Sequence, residues 1–281
     1  MSHVFGPVPS RRLGQSLGID PIPLKTCNWN CVYCQLGRSR PLVNEIKAYV
    51  PAALLLEELD AALNGLKKEQ LDWITIVGSG EPTLNSELGE LIRGIKERTD
   101  VPVAVITNGA LLFMPEVRRR LLSADAVLPS LDAGDADMYR RLNRPHPGVP
   151  YERFVEGLVQ FREEYRGRYW LEVMLIDGMN DTEESLRAIA GKLEKIQPDV
   201  VHISLPTRPP VETWVEPAGE ESILRALAIL GRTAEVVHPE ADHFVISKEL
   251  DPADAVLDLI TRHPVSEEQL LASLPEGYPR S

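Results

Sequence analysis

Short apolar runs alternate with longer stretches of helical period along most of this chain. The runs Ser16–Ile19, Trp73–Val77, Val103–Thr107, Ala126–Leu131, Trp170–Leu175 and Val200–Leu205 predict strands, with a weaker one near Phe244–Ser247. Between them Pro51–Lys68, Ser86–Arg98, Pro115–Ser123, Tyr151–Tyr165, Thr182–Ile196 and Glu220–Leu230 repeat apolar residues at helical spacing. Strands that regularly alternate with helices build βαβ units and a parallel sheet. Six such units make either a partial barrel or a doubly wound sheet, and period alone does not choose between them. The Pro-rich segment Pro206–Pro217 predicts a loop after the sixth strand. Past it, Asp251–Thr261 reads as a helix, and Ser266-Glu-Glu-Gln269 has the form of a capping box before another. The expected organisation is a main domain over 1–248 and a small C-terminal helical extension over 249–281.

Composition narrows this picture in three respects. With 43% apolar residues in 281, the chain can bury a sizeable core. The start of the chain lacks the apolar run of a signal peptide. The longest uncharged stretch, Val101–Pro115, is shorter than the roughly 18 residues of a membrane helix. These features lead us to expect a cytoplasmic protein with no membrane partner. The net charge of −12 is uneven: Arg11, Arg12, Lys25, Arg38, Arg40 and Lys47 outnumber Asp20 and Glu45 in the first 48 residues. A basic end on an acidic body disfavours a broad nucleic-acid-binding face and leaves room for a local one.

All three cysteines lie within eight residues, as Cys27-Asn-Trp-Asn-Cys31-Val-Tyr-Cys34. Such clustering points to metal or redox chemistry rather than a disulfide framework. Three thiolates can ligate three irons of a cubane cluster and leave the fourth iron open. A closed structural zinc site takes four ligands, and the sequence holds no fourth cysteine. A thioredoxin-like reading of Cys31-Val-Tyr-Cys34 would leave Cys27 idle.

The C-x3-C-x2-C spacing, with an aromatic residue directly before the last cysteine, resembles the signature of the radical S-adenosylmethionine (SAM) superfamily. That resemblance implies a partial (β/α)6 TIM-type barrel and two cofactors, a [4Fe–4S] cluster and SAM. Cys27, Cys31 and Cys34 would be the cluster ligands, and Tyr33 would pack near the adenine. The open iron would chelate SAM, and an electron from a low-potential donor such as flavodoxin or ferredoxin would cleave it to a 5′-deoxyadenosyl radical. Further motifs fit. Gly78-Ser79-Gly80-Glu81-Pro82 follows a predicted strand and resembles the superfamily's G-G-E-P element, which holds the SAM amino group; Ser79 departs from that pattern. By the same resemblance Thr107 and Asn108, with Gly109, match the T-N-G that ends the next strand, and Ser130 and Asp132 match its S-x-D element.

Each motif also has a plainer reading. Gly78–Leu84 makes a tight strand-to-helix turn, Asn108-Gly109 is a common turn dipeptide, and Asp132 can cap a helix. Asn180 or Asp181 is expected to cap the helix that follows. The Arg118–Arg120 run is expected on a solvated helix face. Arg208, in Pro206-Thr-Arg208, has the chemistry to bind a carboxylate or phosphate, and His146 is the histidine best placed for a substrate contact.

The stretch Phe5-Gly-Pro-Val-Pro-Ser-Arg-Arg-Leu-Gly, running into Lys25-Thr26-Cys27, looks like a group of iron–sulfur proteins related to the tRNA wyosine synthase. Those synthases carry additional cysteines for a second cluster, which this sequence lacks. The resemblance therefore implies a single-cluster enzyme acting on an RNA base or a small metabolite. An activase for a glycyl-radical partner protein and a non-catalytic iron–sulfur regulator are the alternatives.

Overall fold

Seven strands run parallel in chain order, and an eighth folds back antiparallel on the first of them. This is the arrangement in a computed structural model that describes residues 2–10, 12–66 and 71–237. The antiparallel strand is β1 (Val4–Ser10), which turns through Arg12 into β2 (Gly14–Ile19). From there the order is α1 (Ala52–Asn64), β3 (Trp73–Ile76), α2 (Leu88–Arg98), β4 (Val103–Thr107), α3 (Pro115–Leu121) and β5 (Ala126–Pro129). Then come α4 (Ala136–Leu142), α5 (Tyr151–Glu164), β6 (Arg168–Met174), α6 (Glu183–Ile196), β7 (Val200–Ser204), α7 (Glu220–Leu230) and β8 (Ala234–Val236). Each parallel strand pairs with the next, as in a partial TIM-type barrel, and the doubly wound alternative is excluded because the strand order never reverses.

The six predicted strands and six predicted helices all form. Three elements went unpredicted. Strand β1 contains Gly6, Pro7 and Pro9, and its pairing is irregular between Phe5 and Val8. Prolines are tolerated there because β1 is an edge strand. Strand β8 has three residues and α4 seven, too few for a period to register. The weaker strand near Phe244–Ser247 and the helical extension lie outside the described residues. Among the described residues, no helix is long and apolar enough to cross a membrane.

Strand β6 shows how the barrel is filled. Tyr169, Leu171 and Val173 are fully buried against the helices, whereas Trp170, Glu172 and Met174 face inward. At the N-terminal end of the strands, Leu13, Trp73, Ala104, Ala126, Leu128 and Trp170 form an apolar floor. The Trp73 and Trp170 rings meet edge to face at 5.9 Å, and the Arg168 guanidinium lies 5.2 Å and 5.7 Å from their centres. Above the floor the interior turns polar: Ser16 and Thr75 hydroxyls pair at 2.5 Å, and Arg12 from the hairpin turn meets Glu172.

His202 on β7 faces the floor, with its ring 5.7 Å from Trp170. Burial, with the Arg12 charge nearby, pulls its imidazole down to about 4. An unfolded chain protonates near 6.5, so it binds more protons than the folded one between those values. This contribution to stability is therefore complete above pH 6.5 and is lost as pH falls toward 4. His202→Phe should flatten the acid limb of stability, measured by urea melts across that window, by about 3 kcal/mol. An acid limb as steep as that of the wild type would absolve His202.

Two expectations fail in the helices. Arg118 is buried at 6% exposure rather than solvated, because it reaches inward from α3 to bind Glu164, Gln160 and the Leu112 carbonyl. Thr182, not Asn180 or Asp181, caps α6 by accepting from Ser185 N–H at 3.2 Å. Asn180 is instead a fully buried brace between the Asp132 and Met174 carbonyls.

Candidate metal and cofactor site

The cysteines sit on the long β2–α1 connection, which has no regular helix or strand to hold it. Three sets of contacts fix it instead. First, it is laid against the turn after β3: Lys25 N–H donates to the Ser79 carbonyl at 2.6 Å, and Glu81 N–H to the Thr26 carbonyl at 2.9 Å. Gly80 permits this approach, because a Cβ there would lie 1.9 Å from the Thr26 oxygen. Second, Trp29, between the first two cysteines, is 2% exposed and meets Tyr139 on α4 and Phe154 on α5 at 5.3 and 5.4 Å. Third, the end of α4 accepts the loop's backbone: Asn30 and Val32 N–H groups donate to the Asn143 and Leu142 carbonyls, both at 2.9 Å.

Each cysteine then meets one side-chain N–H donor. Asn108 Nδ2 lies 3.8 Å from Cys27 Sγ, Asn143 Nδ2 lies 3.6 Å from Cys31 Sγ, and Lys25 Nζ lies 3.7 Å from Cys34 Sγ. All three cysteines are free thiols. Burial, with the Glu81 charge adding, pushes the Cys27 thiol up to about 12. Burial also pushes Cys31 up, with Asp132 and the other two cysteines adding. Without a metal these two thiols hold their protons, so iron would have to displace them on loading.

Two buried carboxylates organise the rest. Glu81 is 1% exposed and accepts four hydrogen bonds: at Oε1 from Thr83 N–H, Thr83 Oγ1 and Thr107 Oγ1, and at Oε2 from Asn108 N–H. Burial raises its pKa above the usual carboxylate range, and these donors hold the rise back. Glu81 thereby ties the turn after β3 to the end of β4. Asp132 accepts Tyr33 O–H at 2.5 Å, Asn143 Nδ2 at 2.7 Å and Met174 N–H at 2.8 Å, so it ties the cysteine loop to β6 and α4. Burial raises Asp132 too, against the same donors. Asp132 caps no helix; Asp135 does that for α4.

Nine predicted residues line one cavity of about 160 Å³: Cys27, Cys31, Tyr33, Gly78, Gly80, Glu81, Thr107, Asn108 and Ser130. The other three lie around it. Cys34 is at Lys25, Asp132 is behind Tyr33 and Cys31, and Ser79 donates to Asp20 through both N–H (3.1 Å) and hydroxyl (2.6 Å). Ser79 and Asp20 face a second, larger cavity of about 340 Å³ inside the barrel, which shares Tyr33, Val77, Gly78 and Ile106 with the first. Arg12, Glu172 and Arg208 line that second cavity. His146 lines neither cavity: its backbone N–H binds the Asn28 carbonyl and its Nδ1 accepts from Gly148 N–H. Sequence reasoning missed Asp20, Lys25, Trp29 and Asn143. Lys25 and Trp29 had a visible signal in their place beside or between the cysteines, and Asn143 had none, since it closes the unpredicted α4.

These residues fit the cluster implied above. Among the described residues no three His, Cys, Asp or Glu side chains converge on a single ion. A cubane has no such need, because each thiolate binds a different iron.

Comparison with known proteins accords with this geometry. The family model described as "Radical SAM superfamily" matches residues 22–190. A UPF0026 protein of Methanocaldococcus jannaschii is 33% identical over 95% of this chain and 84% of its own length. A protein of Brachyspira hyodysenteriae named GTPase Obg is 47% identical over 73% of this chain, but the match spans only 30% of that protein. This sequence contains no G-x-x-x-x-G-K-S/T phosphate loop, so the GTPase name is not carried over. Among solved structures, that of TYW1 with a lysine-pyruvate adduct bound superposes with a TM-score of 0.57 at 20% identity, covering 76% of this chain and 72% of that one. At that identity the likeness concerns the fold alone.

Proposed function

This chain belongs to the radical SAM superfamily, and on that premise we propose that it carries one [4Fe–4S] cluster on Cys27, Cys31 and Cys34 and cleaves SAM reductively. A [4Fe–4S] cluster and SAM are the cofactors of that superfamily. When bound, they supply a 5′-deoxyadenosyl radical for hydrogen abstraction. The observation that carries the reading is the shared cavity: two of the three thiols open onto the same space as Glu81, Thr107 and Ser130.

The chain's own residues have separable tasks in this reading. The three cysteines hold the cluster. Gly78 and Gly80 line the space for the SAM methionine group, Gly80 by letting the Thr26–Cys27 backbone pack against it, and Glu81 holds Thr83, Thr107 and Asn108 around that space. Tyr33, kept neutral by burial and by its bond to Asp132, presents its ring to both cavities. Ser130 completes the wall on the β5 side, and Asp132 braces Tyr33 from behind it. The 340 Å³ cavity is of a size for a small molecule or a single extruded base. Its mix of Arg12, Glu172 and Arg208 with apolar walls suits a compact polar substrate. A low-potential donor of the flavodoxin or ferredoxin type delivers the electron.

The test is anaerobic reconstitution with iron and sulfide. We expect a reduced [4Fe–4S] EPR spectrum that changes when SAM is added, followed by slow release of 5′-deoxyadenosine. An intact reduced cluster that ignores SAM would overturn the catalytic reading and favour a regulator.

A further inference from the structure

We propose that Lys25, Asn108 and Asn143 form a shell of one side-chain donor per cysteine, beside the Trp29 backbone N–H that also reaches Cys27 Sγ at 3.4 Å, and that this shell raises the reduction potential of the cluster, with Lys25 contributing most. The inference rests on the reading of Cys27, Cys31 and Cys34 as cluster ligands. Its basis is the pairing already described, in which each sulfur meets one different side-chain nitrogen at 3.6–3.8 Å.

The nitrogens are aimed, not incidental. Asn143 Nδ2 also donates to the Asp132 carboxylate at 2.7 Å, so its NH₂ and not its oxygen must lie on that side. Asn108 Nδ2 donates to Asn28 Oδ1 at 2.7 Å while Asn108 Oδ1 accepts from Ala110 N–H at 2.8 Å, which fixes that amide in the same sense. Lys25 has φ +66°, a left-handed backbone that a residue with a Cβ rarely adopts. Its N–H bond to the Ser79 carbonyl holds it there, and its ammonium bonds the Gly37 carbonyl beside Cys34. An uncommon backbone state held in place beside a candidate ligand is a reason to look for function.

The physical effect has a definite sign. A core bound by three thiolates is already negative in its oxidised form, and reduction adds one more electron from the external donor with no bond made or broken. Hydrogen bonds to the sulfurs and a nearby cation favour the more negative form, so they raise the potential. The two amides act as dipoles and the lysine as a full charge, which puts the largest share on Lys25. The three are positioning residues: they act through the sulfurs and not on SAM or substrate. A purely structural role, holding the loop in place, would leave the potential unmoved once the cluster is loaded.

The test is an anaerobic, mediator-poised redox titration of the reconstituted full chain without SAM, read by EPR of the reduced cluster. In Lys25→Met we expect the ratio of reduced to oxidised cluster at the wild-type midpoint to fall about tenfold, equivalent to about 59 mV for one electron. Asn108→Ala should shift the same way by less, and Lys25→Arg should restore most of the loss. If Lys25→Met does not load a cluster, Lys25→Gln and Asn108→Ala carry the measurement. Loaded variants that all titrate at the wild-type midpoint would overturn the donor shell alone. A wild-type chain that forms no cluster would overturn the ligand assignment beneath it, and the shell with it.

Discussion

Cys31→Ala should lose the cluster and, with it, both the SAM-dependent change in the EPR spectrum and 5′-deoxyadenosine release. The cysteine loop offers no substitute ligand, because the sequence has three cysteines in all and each is assigned to its own iron. Among the described residues no set of three His, Cys, Asp or Glu side chains stands ready to bind an ion in their stead. The substitution should leave the fold intact. Alanine keeps the backbone bonds of Cys31, and the loop stays anchored by Trp29 in its aromatic nest and by the Asn30 and Val32 bonds to the end of α4. Iron and sulfide content, absorbance and EPR of the reconstituted variant measure the loss, and circular dichroism measures the fold. A variant with full cluster content and SAM response would remove Cys31 from the ligand set.

Gly80→Ala should do comparable damage from the other side of the site. Its Cβ would lie 1.9 Å from the Thr26 oxygen and 2.6 Å from the Thr26 carbonyl carbon, both backbone atoms one residue before Cys27. No side-chain rotation relieves that clash, so either the Thr26–Cys27 backbone or the turn after β3 must move. Either movement stretches the Glu81 N–H bond to the Thr26 carbonyl and pulls Glu81 out of register with Thr107 and Asn108. Overpacking of this kind costs about 1–3 kcal/mol, or a fall in Tm of roughly 2–5 °C at this chain length. SAM affinity, read from EPR titration of the loaded protein, should fall at least about tenfold, equivalent to about 1.4 kcal/mol. Gly78→Ala is the internal comparison. Its Cβ would press on the Ile22 side chain at 2.7 Å, which can rotate away, so its effect should be smaller. Equal effects at the two glycines would contradict this account.

The same contrast between backbone and side chain explains what was legible beforehand. The three cysteines, the turn Gly78–Glu81 and the strand-end residues Thr107, Asn108 and Ser130 are adjacent to recognisable local features. In a parallel barrel the C-terminal ends of the strands gather on one face, so residues at those ends meet whatever the details between them. That is why nine separately predicted residues line a single cavity. The errors have the opposite character. Arg118 looks solvated by composition, but Glu164 and Gln160 on α5 receive it. Asn180 looks like a cap, but the carbonyls it braces belong to segments 6 and 48 residues away.

By itself the sequence determined the alternation of six strands with six helices, the clustering of the three cysteines in one loop and the absence of cysteines for a second all-cysteine cluster. These depend on local period, residue type and counting, which need no folded partner. Only the tertiary structure decided that the proline-bearing N-terminus is an edge strand, that Asp132 is a hub and not a cap, and that Lys25, Asn108 and Asn143 each face a different sulfur. Those facts turn on which side chains meet across 9, 81 and 112 residues of chain. A hydrogen bond over such separations is set by how strands and helices pack, and no local pattern in the sequence encodes it.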